Sequence, residues 1–142
     1  MATATPRALR VLVADDEHVI ADTLAAIFRN NGFDVKSVYS GYSAIETAVS
    51  YRPDVVISDI LMSGINGIDV ALSISRELPK SKFVLITGHS DYDENLELAR
   101  RRGLDLLCFH KPILPQSLID YLTNCARELN LEHERVSTWK TA

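Results

Sequence analysis

The sequence predicts an α/β domain whose core is a five-stranded parallel sheet. Five short apolar runs alternate with five amphipathic segments, the order that builds strand–helix–strand units. In PDVVISDI at 53–60, opened by a proline, Val55, Val56, Ile57 and Ser58 are apolar or small, rich in β-branched residues, and run without a charge up to Asp59. That is the pattern of a strand buried on both faces. Two of the runs end on acid: this one on Asp59, and VLVADDE at 11–17 on Asp15 and Asp16. Taken alone, Asp59 could equally open a turn. If the two strands are neighbours, three carboxylates converge on one small volume.

The elements follow in order. Residues 1–8 are small, polar and proline-containing, and are expected to be a loose leader. The first strand is LRVLVA at 9–14. From Glu17 to Asn31, Ile20, Leu24, Ile27 and Phe28 recur at helical spacing, and Gly32 suits the residue after the helix. FDVKSV at 33–38 is less apolar and predicts an edge strand. Ser40 can cap a helix carrying Ala44, Ile45, Ala48 and Val49, which stops before Pro53.

After the 53–60 strand, the loop LMSGING leads to a helix from about Ile68 to Leu78, expected to bury Ile68, Ala71, Leu72 and Ser75. KFVLIT at 82–87 is an apolar strand ending on Thr87-Gly88. Ser90 and Asp93 have capping-box spacing for a helix reaching Arg102. Its acids (Asp91, Asp93, Glu94, Glu97) come early and Arg100, Arg101 and Arg102 late, which suits the helix dipole. DLLCF at 105–109 is the fifth strand and runs into Lys111-Pro112. A last helix starts near Pro115 or Gln116, with Leu118, Leu122, Cys125 and Leu129 on one stripe. Residues 129–142 are expected to extend that helix or to form a tail, and Val136 and Trp139 keep roughly its spacing.

The doubly wound order for five such strands is 2-1-3-4-5, the flavodoxin-like arrangement, with its site where strands one and three diverge. Asp15, Asp16 and Asp59 fall at that point. The 142 residues suit a single domain able to bury roughly 68–70% of its unfolded surface. A net charge of −4 argues against a nucleic-acid surface. No apolar run approaches the ~20 residues of a membrane span. Cys108 and Cys125 lack C-x-x-C spacing, and without a signal-peptide pattern they read as reduced core thiols of a cytoplasmic protein.

Two carboxylates 4 Å apart repel by ~4 kcal/mol at an effective dielectric of ~20. Either one takes up a proton or a cation is recruited. Hard oxygen donors in a small site favour Mg²⁺, which prefers one or two carboxylates plus a phosphate. The fourth strand brings the Thr87 hydroxyl to the same edge and the fifth brings Lys111, a compact cation. Singly, each has an ordinary explanation: a turn aspartate, a strand-end threonine, a surface lysine. Together they describe a phosphoryl-binding site in which a carboxylate can be the nucleophile.

With these residues the chain resembles the receiver domains of two-component response regulators over 9–128. The matching pieces are the acidic pair in ADDE, Asp59 in SDILM, Gly67 eight residues on, Thr87-Gly88 in LITGHSD, and Lys111-Pro112. The resemblance implies that Asp59 accepts a phosphoryl group from a histidine kinase or phosphotransfer protein. It implies that Asp16 and Asp59 bind Mg²⁺ directly and Asp15 through water, with the Leu61 backbone carbonyl as a further ligand. Thr87 and Lys111 would hold the phosphoryl oxygens, and the Lys111–Pro112 bond would be cis. Further partners would be a downstream protein or a second copy, through the last two helices and fifth strand.

Three positions depart from the family's pattern. Ser63 replaces the usual proline four residues after the acceptor, where it is expected to touch no ligand. Leu61 is apolar where some relatives are polar, which bears on phosphoryl lifetime. Cys108 stands where an aromatic normally precedes the lysine by three residues. Strand alternation puts Phe109 on the opposite face, as a core residue, and leaves Cys108 a passive filler. Activation would then be read through 87–93 and the helix behind it. His18, His89 and His110 fall near the same rim without zinc spacing. The competing functions are an Mg²⁺-dependent phosphohydrolase with an aspartyl-phosphate intermediate, and a pseudo-receiver that binds partners without phosphate. Against the preferred reading, a signalling switch with no attached output domain, the first is disfavoured by ADDEH where D-x-D-x-T would stand. The second is disfavoured because all five site residues are present.

Overall fold

A computed structural model describes residues 7–88, 93–129 and 131. Strands and helices alternate through the chain: β1 (Arg10–Ala14), α1 (His18–Asn30), β2 (Asp34–Val38), α2 (Gly41–Tyr51), β3 (Val55–Asp59), α3 (Gly67–Glu77), β4 (Lys82–Thr87), α4 (Asp93–Arg101), β5 (Leu106–His110) and α5 (Pro115–Glu128). The strands form one parallel sheet in the order β2-β1-β3-β4-β5, as the sequence predicts. The less apolar β2 is at the edge. All five residues of β3 are buried, because helices cover both faces of a doubly wound sheet.

Strand alternation sorts the core into two layers. Val11, Val13, Val55, Ile57, Val84 and Ile86 pack with Phe28 of α1 and Leu118 and Leu122 of α5. Leu12, Val56, Phe83 and Leu85 pack with residues of α2, α3 and α4 on the other side. β5 obeys the same parity. Cys108 lies half-buried against the second layer and Phe109 half-buried against the first.

Helix faces differ in detail from the periodicity. On α1 the fully buried line is Ala21, Ala25 and Phe28, with Ile20, Leu24 and Ile27 only partly covered. Small alanines let the helix backbone approach the sheet, and the larger side chains flank the contact. The same holds on α2, where Ala44 and Ala48 are buried and Val49 is 58% exposed. On α3, Val70 and Ile74 are buried with Ile68 and Ala71, while Leu72 and Ser75 are half-exposed. That helix packs on α2 as well as on the sheet: a Cβ on Gly41 would lie 2.8 Å from Val70 Cγ2.

Ser40 caps α2 as the sequence predicts, and Asn66, read from the sequence only as part of a loop, caps α3. Ser40 Oγ accepts the Ser43 N–H at 3.0 Å, and Asn66 Oδ1 accepts the Asp69 N–H at 2.9 Å. Arg52 closes α2 in the left-handed region at φ 53°. The expected cap at Ser90 lies outside the described residues, as do Asp91 and most of the leader. β5 begins and ends one residue later than expected. α5 ends at Glu128 and does not continue as a helix through 129. Leu129 is 47% exposed, and the Leu131 N–H turns back onto the Ala126 carbonyl at 2.8 Å. The rest of the 129–142 extension, including Val136 and Trp139, is outside the described residues.

Candidate functional site

Parallel register assembles the site one strand end at a time. Ala14 pairs with Ser58, so Asp15 emerges beside Asp59. Asp59 pairs with Ile86, which puts Thr87 one step further out on β4. Thr87 pairs with His110, and Lys111 follows. Asp15, Asp59, Thr87 and Lys111 therefore each sit within a residue of a strand's carboxyl end, and Asp16 two residues beyond β1, where doubly wound sheets open.

Asp15, Asp59 and Thr87 are buried, and Asp16 is exposed. One carboxylate oxygen from each of Asp15, Asp16 and Asp59 can be chosen so that all three lie within 4.8 Å of one another. The Lys111 ammonium donates to Asp59 Oδ2 at 3.0 Å, and the Leu61 N–H donates to Asp59 Oδ1 at 3.2 Å. Asp15 Oδ1 accepts the Glu17 N–H at 2.9 Å, at the start of α1. The Lys111 N–H bonds the Thr87 carbonyl at 2.8 Å, and the Lys111–Pro112 peptide is cis, as expected.

Gly67 explains its own identity. Its N–H donates to the Ile60 carbonyl at 2.9 Å, and a Cβ there would stand 2.5 Å from the Asp59 carbonyl oxygen. Only glycine lets α3 begin this close to the end of β3.

Desolvation raises the Asp15 carboxyl above its ordinary range, with a contribution from the Asp59 charge, against the lowering effect of the Glu17 N–H. Burial alone would lower the Lys111 ammonium. The hydrogen bond and charge of Asp59, then Asp15 and Glu17, outweigh burial and raise it. Three carboxylates face one ammonium, so the ionised cluster retains negative charge that a divalent cation would neutralise. All three donors are hard oxygens and one lies exposed, which fits Mg²⁺. Among the described residues this metal-competent group contains no histidine. His18 is stacked on Tyr39 with ring centroids 3.8 Å apart, and His110 is exposed. His89 lies outside the described residues.

The Asp15 shift sets a pH dependence. A carboxyl raised on folding stabilises the native state below its unfolded pKa, and that contribution is lost as pH rises through the folded value. At neutral pH without metal, Asp15 is thus a burden. Asp15→Asn is expected to raise the melting temperature in EDTA by a few degrees and to flatten the stability curve just above the ordinary aspartate range. Thermal melts from pH 4 to 8 check this.

One expectation fails. Ser63 does touch a candidate ligand: its N–H and its hydroxyl both donate to Asp16 Oδ2, each at 3.4 Å. Proline there could make neither contact.

Residues 11–123 match the response regulator receiver domain family. The chain belongs to that family. It is 32% identical over 110 residues to the DNA-binding response regulator MtrA of Mycobacterium tuberculosis, covering 78% of this chain and 47% of that protein. To the transcriptional regulatory protein YesN of Bacillus subtilis it is 28% identical over 136 residues, or 94% of this chain and 36% of that one. The chain thus spans about half or less of the length of these curated relatives. A receiver domain protein from Clostridium thermocellum superposes with a TM-score of 0.76 at 26% identity, over 86% of this chain and 97% of that one. The BeF3-activated DrrB receiver domain shares the fold at a TM-score of 0.72 and 21% identity, over 84% and 98% of the two chains. Among the described residues, no helix of this receiver domain is long and apolar enough to cross a membrane.

Proposed function

We propose that Asp59 is the phosphoacceptor of this receiver domain, loaded from the phosphohistidine of a histidine kinase or phosphotransfer protein with Mg²⁺ as cofactor. The observation that carries this reading is the buried Asp59 carboxylate, bonded to Lys111 at 3.0 Å within a three-carboxylate pocket. A carboxylate oxygen of Asp59 attacks phosphorus, the P–N bond breaks, and the imidazole leaves with the electron pair. Lys111 already lies against Oδ2, so it can follow charge from the carboxylate to the arriving phosphoryl oxygens. Thr87 reaches the same group from the neighbouring strand end. Asp16 and Asp59 would hold Mg²⁺ directly, Asp15 through water, with the Leu61 carbonyl as a further ligand. When bound, the ion neutralises carboxylate and phosphoryl charge together.

The unit carrying this chemistry is 9–128, with 1–8 and 129–142 lying outside it. Its output is a protein contact rather than turnover of an external substrate. Phosphorylation biases the surface around 87–109, and a downstream protein or a second copy reads it through the last two helices and β5. The DNA binding in MtrA's name is not carried over, since the chain matches about half of that protein and has a net charge of −4. A cytoplasmic location goes with this reading.

Incubation with acetyl phosphate tests the proposal. With Mg²⁺ the intact mass should gain one phosphoryl group, and with EDTA it should not. A gain of equal size in EDTA would contradict the role of the carboxylate pocket.

A further inference from the structure

We infer that Ser63 is a positioning residue for the metal, holding the Asp16 carboxylate in place and tying the loop after Asp59 to it. The inference rests on the Mg²⁺ reading above and extends it to a residue outside the carboxylate set.

Its basis is the way the 61–66 loop is suspended. The Leu61 N–H donates to Asp59 Oδ1 at 3.2 Å, and two residues on Ser63 donates twice to Asp16 Oδ2 at 3.4 Å. The loop's first turn thus hangs from two of the three carboxylates, with the Leu61 carbonyl between the attachments. Beyond them, Gly64 at φ 87° runs close to the Tyr42 ring, where a Cβ would lie 3.1 Å from Cε2. Ile65 packs over the start of α2, close enough that a Cβ on Gly41 would collide with its Cγ2. The loop is therefore seated at both ends, and Ser63 is the point where that seating reaches Asp16.

The consequence follows from conformational entropy. Asp16 is exposed, so an unrestrained side chain would lose rotamer freedom on taking a cation. Ser63 restricts it beforehand. Both contacts converge on Oδ2, which leaves Oδ1 uncontested by Ser63. Proline would remove the N–H and the hydroxyl together, alanine only the hydroxyl. Long, solvent-exposed hydrogen bonds to a charge are modest, so the loss of one corresponds to about a two- to fivefold change in affinity.

Mg²⁺ titrations of the full chain by calorimetry decide the point, with melts in EDTA confirming that each variant is folded. Ser63→Ala should bind Mg²⁺ about two- to fivefold more weakly, Ser63→Pro more weakly still, and Ser63→Thr close to wild type. The Mg²⁺ concentration giving half the maximal rate of acetyl-phosphate labelling should rise in the same order. Unchanged or tighter binding by Ser63→Ala, or failure of threonine to restore it, overturns the inference while leaving the metal site standing. Absence of Mg²⁺ heat in the wild type together with acetyl-phosphate labelling that does not depend on Mg²⁺ overturns the metal reading itself, and this inference with it.

Discussion

Asp59→Asn is expected to abolish phosphorylation by acetyl phosphate in Mg²⁺, with intact mass as the readout. The substitution preserves shape, so the buried position between Lys111 and the Leu61 N–H stays filled. It removes the nucleophile, because an amide oxygen does not attack phosphorus at a useful rate. Loss should be complete, not partial: Asp15 is buried against the Glu17 N–H, and Asp16 lacks the lysine contact that orients Asp59. A second effect has a defined sign. The hydrogen bond and charge of Asp59 are the leading contributions raising the Lys111 ammonium. Without them, Lys111 should titrate at lower pH, as heteronuclear NMR of the lysine side chain would show. A mass gain in Asp59→Asn equal to that of the wild type would refute the assignment.

Gly67→Ala should be the most damaging single methyl near the site. The obstacle is the Asp59 carbonyl oxygen, 2.5 Å from the added Cβ, with Ile60 Cα at 3.1 Å. Both are backbone atoms of the segment that presents Asp59, so neither can rotate away. Overpacking of this kind costs about 3 kcal/mol, or roughly 10 °C in melting temperature for a domain of this size. Because relief requires Asp59 to move, labelling should slow as well. Gly103→Ala is the control. It has φ 90° and nothing within 4 Å, so its cost is left-handed strain alone, about 1–2 kcal/mol, with labelling unaffected. Urea unfolding of the two variants separates the cases. Equal stability losses would show that the contact at Gly67 is accommodated.

The strands and the convergence of their ends are legible in the sequence, for a physical reason. A parallel strand buried on both faces has to be a short apolar run, and a polar residue ends it abruptly. Neighbouring ends then meet in register, as Asp15, Asp59, Thr87 and Lys111 do. The order 2-1-3-4-5 follows from right-handed crossovers. Helix faces are less legible because hydrophobicity does not report closeness of approach. Ala21, Ala25, Ala44 and Ala48 form the contact lines, while Val19 and Val49 lie largely exposed. The parity of β5 was legible, and it places Cys108 and Phe109 in opposite layers. The Ser63–Asp16 contact was not, since it depends on the path of a loop bearing two glycines. The one available signal was chemical: serine offers two donors where proline offers none.

The most direct test is to locate the phosphoryl group. An acyl phosphate is reduced by borohydride to an alcohol, which converts a phosphorylated aspartate to homoserine and leaves phosphohistidine and phosphoserine unmarked. After labelling with acetyl phosphate and Mg²⁺, tandem mass spectrometry of the peptides spanning 11–29 and 37–76 should show homoserine at position 59 and at no other aspartate. Homoserine at Asp15 or Asp16, or a phosphoryl group resistant to borohydride on another residue type, would contradict Asp59 as the acceptor.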